Sequence, residues 1–320
     1  MRQIDVFNGD ADGVCALHQL RLAQPAASEL VTGVKRDIKL LDRVQAGAGD
    51  FVAVLDISLD SNRKGLMRLL EAGASVEYFD HHHAGEIPQN PRFVAHIDVS
   101  ASACTSILVD RHLQGRYRLW AITAAFGDNL EKSAQTLADL EGLTRSQVEE
   151  LARLGECLNY NAYGDSLEDL HFHPAHLYAE LKPYPNPFVF MAESSAFNRL
   201  EAGLRGDTAL ALALRPYRVD THSAAYVMPD APWARRVSGV FANRLASEST
   251  DRAHAIFTTN QQGDYTVSVR APISTPQGAD TLCLKFATGG GRKGAAGINH
   301  LPVAEFEQFM ACFQAQFSQC

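Results

Sequence analysis

Ile4-Asp-Val-Phe-Asn-Gly-Asp-Ala-Asp-Gly13 joins a short apolar run to a turn that holds two acids, Asp10 and Asp12. The run Ile4–Phe7 has the length of a buried strand, and Asn8-Gly9 ends it. From Gly13 to Gln24 apolar residues recur at helical spacing, with Asp12 in the capping position. The pattern repeats downstream. Val52–Leu55, Val76–Phe79 and Val94–Ile97 read as further strands, and Ser61–Ala72 reads as a helix capped by Ser61. Strand and helix in alternation imply an α/β domain with a parallel sheet covered on both faces.

Beyond Ser100 the pattern turns mostly helical up to about Leu181. Lys182-Pro-Tyr-Pro-Asn-Pro187 then excludes helix and predicts a linker. The expected division is 1–182 for the parallel-sheet domain, 183–190 for the linker and 191–320 for a smaller α+β domain. In that second domain Ala209–Leu214, Ala253–Thr258 and Tyr265–Arg270 are expected strands, and Gln261-Gln-Gly-Asp264 a hairpin turn. Pro232–Ser247 and Val303–Phe317 are expected helices.

The 320 residues suit two domains, and 46% hydrophobic with 21% charged residues is ordinary globular composition. A formal net charge of -8 argues against a general sponge for long nucleic acid and favours a small anionic substrate. No run of about 18 apolar residues predicts a membrane span, and the start lacks the layout of a signal peptide. Cys15, Cys104, Cys157, Cys283, Cys312 and Cys320 are scattered without a C-x-x-C pair, so free thiols and a cytoplasmic location are expected.

The acids carry the functional signal through their placement. Asp10 and Asp12 follow the first strand, Asp56 closes the second, and Asp80 closes the third before His81, His82 and His83. Ligands of an open parallel sheet bind at the carboxyl ends of its strands. Carboxylates converging there repel one another unless a cation neutralises them. Oxygen ligands with one or two imidazoles suit Mn²⁺ or Mg²⁺. Asp128, ending a helical run, completes the set. Each element alone has an ordinary explanation as a turn, a cap or a surface histidine. A helix–loop–helix calcium loop counted from Asp10 fails, because its twelfth position is Arg21.

In this order the motifs Asn8-Gly-Asp-Ala-Asp-Gly13, Asp56, Asp80-His-His82 and Asp128 resemble the DHH phosphoesterase family. Ser100-Ala-Ser-Ala-Cys-Thr-Ser106 resembles its small-residue helix start. Gly289-Gly-Gly-Arg-Lys-Gly-Ala-Ala-Gly297 resembles its associated C-terminal domain. The resemblance covers nearly the whole chain. It implies two divalent metals, Mn²⁺ first with Mg²⁺ or Co²⁺ as alternatives, roughly 3.5–4 Å apart. Asp10 would serve the first metal and Asp12 the second, with Asp56 bridging. His81 and Asp128 would complete the second, Asp80 would orient His81, and His82 would touch the substrate phosphate. Ser106, Arg270, Gly289, Gly290, Gly291, Arg292 and Lys293 are the expected substrate contacts. The triglycine reads as a phosphate cradle.

Two departures stand out. The slot that often holds a metal-binding histidine is Val6, with Asn8 as substitute donor, and Arg292 stands where the family usually has histidine. Arg215, Tyr217, Arg218, Trp233, Arg235 and Arg236 could stack bases, but read more simply as surface charge around a tryptophan. His171, His173 and His176 read as a surface segment rather than a zinc site. The resulting expectation is hydrolysis of short oligonucleotides or small nucleotides, as in the nano-RNase and 3′-phosphoadenosine 5′-phosphate phosphatase branch. Cyclic-dinucleotide, single-strand exonuclease and polyphosphate activities of the same family are the alternatives. A catalytically silent nucleotide-binding sensor is the rival from another class. A homodimer is compatible with all of these.

Overall fold

Two units divide the chain, Met1–Ala202 and Gly203–Cys320, in the computed structural model, which describes residues 2–260 and 262–318. The first unit runs β1 (Gln3–Phe7), α1 (Ala11–Ala23), β2 (Ser28–Val31), β3 (Phe51–Leu55), α2 (Leu59–Glu71), β4 (Ser75–Asp80) and β5 (Phe93–Ile97). Helices α3 (Thr105–His112), α4 (Arg118–Gly127), α5 (Glu131–Leu140), α6 (Arg145–Tyr160), α7 (Pro174–Leu181), α8 (Pro187–Glu193) and α9 (Ser195–Leu212) follow.

The five strands form one parallel sheet in the order β2-β1-β3-β4-β5. Their carboxyl ends therefore share an edge, and the order reverses between β1 and β3, where ligands of such sheets bind. Period-two alternation sorts the side chains. Ile4, Val6, Val52, Val54, Val76 and Tyr78 share a core with Leu59, Leu66, Leu69 and Leu70 of α2. Between β1 and α1, Asp5 is buried against Arg21, which donates to it at 2.7 and 2.6 Å. The caps lie two and three residues earlier than expected. Asp10 Oδ1 accepts the amides of Asp12 and Gly13 at the start of α1, and Ser58 accepts that of Ser61.

The proline-rich stretch is not a linker. Trp120 Nε1 donates to the Pro185 carbonyl at 3.1 Å, His18 Nε2 lies 2.9 Å from the Tyr184 carbonyl, and Pro187 is buried at the start of α8. These contacts hold it inside the first unit, and the division falls within α9. The expected strand Ala209–Leu214 is instead the end of α9 and the residues after it, since an Ala-Leu run favours helix when no sheet neighbour claims it.

The second unit runs β6 (Arg218–Val219), β7 (Ser223–Met228), α10 (Pro232–Glu248), β8 (Ala253–Thr259), β9 (Tyr265–Arg270), α11 (Ala279–Cys283), β10 (Gly289–Gly291), β11 (Ala295–Leu301) and α12 (Phe306–Phe317). Its sheet has the order β10-β11-β9-β8-β7-β6, antiparallel except for β7 with β8. Phe306, Phe309, Phe313 and Phe317 of α12 bury with Phe257 and Val267. The β8–β9 hairpin turns where expected. Asn260 Oδ1 accepts the amides of Gln262 and Asp264, while Gln261 lies outside the described residues. Cys15, Cys104, Cys157, Cys283 and Cys312 are free thiols, and Cys320 lies outside the described residues. No helix among the described residues is long and apolar enough to cross a membrane.

Candidate metal centre

Four chain segments deliver carboxylates and imidazoles to the carboxyl edge of the first sheet. Asp10 caps α1 through Oδ1, and its Oδ2 accepts from Lys35 Nζ at 2.6 Å. Asp12, in the first turn of α1, accepts the Ser106 amide on Oδ1 and the Thr105 amide on Oδ2, both at 2.7 Å. These are the first amides of α3, so the Cys104-Thr-Ser106 helix start fixes Asp12 rather than substrate. Ser106 is fully buried and its hydroxyl donates to the Asp12 carbonyl at 2.9 Å, which removes it from the expected substrate contacts.

Asp56 follows β3 with φ of 60°, a left-handed conformation that Asp tolerates better than most residues. Its Oδ1 accepts from Thr105 Oγ1 at 3.2 Å and lies 3.3 Å from His81 Nε2. The same His81 nitrogen is 3.9 Å from both Asp12 Oδ2 and Asp128 Oδ2. Asp80 serves a different histidine from the one expected. Its Oδ1 accepts the His82 amide at 3.2 Å and lies 2.7 Å from His82 Nδ1, while Oδ2 accepts the Leu59 amide. Backbone geometry explains the exchange, since a turn beginning at Asp80 folds the residue two positions on back over its carboxylate.

Asp128 arrives from the end of α4, where two glycines allow helices to touch. A Cβ on Gly155 of α6 would lie 2.2 Å from the Thr123 carbonyl, and one on Gly127 would lie 2.6 Å from the Ala11 methyl of α1. With glycine at both positions α4 packs against α1 and α6, and Asp128 reaches the cluster.

Burial, reinforced by the charges of Asp10, Asp12 and Asp128, pushes the Asp56 carboxyl well above the ordinary carboxylate range. Burial and the Asp12 and Asp10 charges also raise Asp128, to about 6, although Lys35 pulls the other way. For Asp10 the penalty of burial is more than offset by the Lys35 ammonium, and its value falls to about 2. Burial opposes the charged form of His82, but the Asp80 contact and the surrounding acids raise it. The cluster thus carries more negative charge than the chain alone neutralises.

Asp12, His81 and Asp128 form one group of ligand atoms and Asp56, His81 and His82 another, so that His81 joins two sets of hard oxygen and imidazole donors that suit Mn²⁺ or Mg²⁺. Of the set expected around Asp10, the Asp56 carboxyl is in hydrogen-bond contact with it, and Lys35 takes its other side. Val6 is buried with Ile4 and Val52 in the core facing α2, and Asn8 Oδ1 accepts the Asp10 amide at 3.2 Å. Lys35 gave no signal in the sequence. Its position depends on Asn8, Asn159 and Ala162, which are remote from it in the chain. Another unexpected grouping, Glu77, His96 and His112, brings three ligand atoms within 4.8 Å of one another.

In the second unit the triglycine is a strand rather than an open cradle. Gly289, Gly290 and Gly291 pair with Ile298, Gly297 and Ala296, and a Cβ on Gly289 would lie 1.7 Å from the Cys283 carbonyl oxygen. Gly289 is there because the strand packs directly onto the backbone ending α11, and Gly291 has φ of 139° against Ala296, while beside Gly290 there is open space. Arg292 pairs its backbone with Ala295 at the hairpin tip, where its side chain and that of Lys293 are exposed. Arg270 donates to Asn243 Oδ1 at 2.7 Å and to the Val269 carbonyl. Arg235 pairs with Asp230, and Arg236 with Asp207 at 2.8 Å. In the first unit His171 meets the Tyr160 hydroxyl and His173 caps α7, so the three neighbouring histidines form no metal group among the described residues.

No protein-family model matches the sequence, and no curated protein matches it. Solved structures do. The exonuclease RecJ bound to manganese superposes with a TM-score of 0.65 at 18% identity, covering 100% of this chain and 90% of that one. RecJ from Thermus thermophilus in complex with Mn²⁺ gives 0.59 at 19% identity over 98% of this chain, which spans about half, 51%, of that protein. The pGpG-specific phosphodiesterase PggH from Vibrio cholerae gives 0.56 at 13% identity, covering 99% of this chain and 98% of that one. The mixed α/β fold with a parallel sheet followed by a second, mixed sheet is shared with these proteins.

Proposed function

We propose that this chain is a divalent-metal-dependent phosphoric ester hydrolase of the DHH phosphoesterase family. The observation that carries the reading is the gathering of Asp12, Asp56 and Asp128 around His81 Nε2 at the sheet's carboxyl edge. The raised Asp56 and Asp128 carboxyls agree with it, because a cation relieves the repulsion that raises them. When bound, a divalent ion supplies Lewis acidity toward a phosphoryl oxygen and makes water more acidic.

The chain's own groups do the rest. Two backbone amides hold Asp12, so it needs no reorganisation. Asp80 holds His82 through Nδ1, which leaves Nε2 as the ring atom for a phosphate or leaving oxygen. The substrate we infer is a short oligonucleotide or small nucleotide, in the manner of nano-RNases and 3′-phosphoadenosine 5′-phosphate phosphatases. The net charge of -8 favours a small anion. The fold shared with a manganese-bound exonuclease and a pGpG-specific phosphodiesterase supports the reaction class.

A panel assay tests this. Chelator-stripped protein receives Mn²⁺ and a labelled RNA dinucleotide, a 20-mer, 3′-phosphoadenosine 5′-phosphate, a cyclic dinucleotide or polyphosphate. Metal-dependent cleavage of the dinucleotide or the 3′-phosphoadenosine 5′-phosphate, lost in Asp56→Ala, is expected. A nucleotide-binding sensor without turnover is the rival reading, favoured by the lysine seated on Asp10. Tight nucleotide binding with no turnover anywhere in the panel would establish that rival.

A further inference from the structure

The positive charge nearest Asp10 belongs to the chain itself. Lys35 follows β2, and its backbone is held from both sides. Its amide donates to the Ala162 carbonyl at 3.0 Å, and its carbonyl accepts from Asn8 Nδ2 at 3.4 Å. From this anchor Nζ donates to Asp10 Oδ2 at 2.6 Å and to Asn159 Oδ1 at 3.4 Å. It also stands 3.7 Å from Asp128 Oδ1 and 5.5 Å from the centre of the Tyr163 ring. The ammonium is therefore seated among oxygen atoms from α1's cap, the end of α4 and α6.

We propose that Lys35 replaces the first ion of a dinuclear site, so that the chain holds one divalent ion, at Asp12, Asp56, His81 and Asp128, beside a fixed ammonium. The inference rests on the metal-dependent hydrolase reading above and departs from it only in the number of ions. Three observations lead to it. Ligands for a first ion are reduced to Asp10 and the neighbouring Asp56, since Val6 is core and Asn8 spends its amide on the Asp10 turn and the Lys35 carbonyl. Both Asp10 oxygens are engaged, one by the α1 amides and one by Lys35. Charge points the same way, because one divalent ion and the ammonium set three positive charges against four carboxylates, two of which, Asp10 and Asp12, also accept backbone amides, whereas a second divalent ion would make five against four.

The substitution has chemical consequences. An ammonium donates hydrogen bonds to a phosphoryl oxygen and attracts its charge, but it does not acidify water as a metal ion does. Lys35 is thereby a positioning residue that holds Asp10 and draws the substrate phosphate, and activation of water falls to the single metal centre.

The test is a Mn²⁺ titration of the chelator-stripped full chain by calorimetry, with electron paramagnetic resonance at each endpoint. The proposal expects one Mn²⁺ per wild-type chain with the spectrum of an isolated ion. It expects one in Lys35→Arg and a second, at least tenfold weaker, in Lys35→Ala. Two ions in the wild type with an exchange-coupled spectrum would overturn the proposal and leave the hydrolase reading intact. A single ion in folded Lys35→Ala would overturn the role of Lys35 in excluding the second. Absence of any bound Mn²⁺ in the wild type would overturn the hydrolase reading itself, and this inference with it.

Discussion

Replacing Asp128 by Asn separates what the site costs the fold from what it does. The Asp128 carboxyl is raised from its ordinary 3.8 to about 6. The folded chain thus holds this proton after the unfolded chain has released it. Stability accordingly falls as pH rises from about 4 to about 6 and stays reduced above that. At ~1.4 kcal/mol per pH unit, the ionised side chain costs the metal-free protein about 3 kcal/mol at pH 7. Asp128→Asn keeps the shape and removes the charge, so metal-free protein should gain about 2–3 kcal/mol, or ~5–10 °C for a unit of this size. Mn²⁺ first cancels this difference and then, at higher excess, inverts the order. At a hundredfold excess over Kd it stabilises the wild type by about 2.7 kcal/mol, and by more at higher excess, whereas the variant has lost a ligand. Thermal unfolding at pH 7, followed by Trp120 fluorescence in a Trp233→Phe background with and without Mn²⁺, reads both effects. A metal-free variant no more stable than its parent would refute the reasoning.

Other perturbations test the scaffold. Burial holds His18 down to about 4, against the Tyr184 carbonyl contact, so the unfolded chain takes up a proton between pH 6.5 and 4 and stability is lost across that window. His18→Gln should remove about 3 kcal/mol of that loss, read as the difference between urea midpoints at pH 7 and pH 4. Arg21→Met strands the buried Asp5 carboxylate and should cost about 3–5 kcal/mol in urea unfolding, much of it restored by adding Asp5→Leu. Gly289→Ala drives a methyl group into the Cys283 carbonyl and should destabilise the second unit by at least ~2 kcal/mol, seen as an earlier Trp233 transition.

Much of the first unit was legible because a buried parallel strand reads as an apolar run that stops at a polar residue. Ile4–Phe7, Val52–Leu55, Val76–Phe79 and Val94–Ile97 all lie in strands. β2 was missed because an edge strand, Ser28–Val31, is half-exposed and carries no such run. The acids were legible through their spacing after those strands, but their partners were not. Which histidine Asp80 serves depends on a turn, and whether Asn8 is free depends on the Asp10 amide. Proline spacing between 182 and 187 marks where helix stops and says nothing of Trp120 and His18, whose bonds keep that segment in the first unit. The triglycine allowed either a cradle or a tightly packed strand, and only the approach of Cys283 decides between them.

The central claim is that a divalent ion belongs among Asp12, Asp56, His81 and Asp128, and anomalous scattering from a Mn²⁺-soaked crystal tests it most directly. The account predicts a manganese peak within coordinating distance of those four side chains, with Lys35 still on Asp10. A peak only at Glu77, His96 and His112, or none in the carboxylate cluster at saturating Mn²⁺, would contradict it.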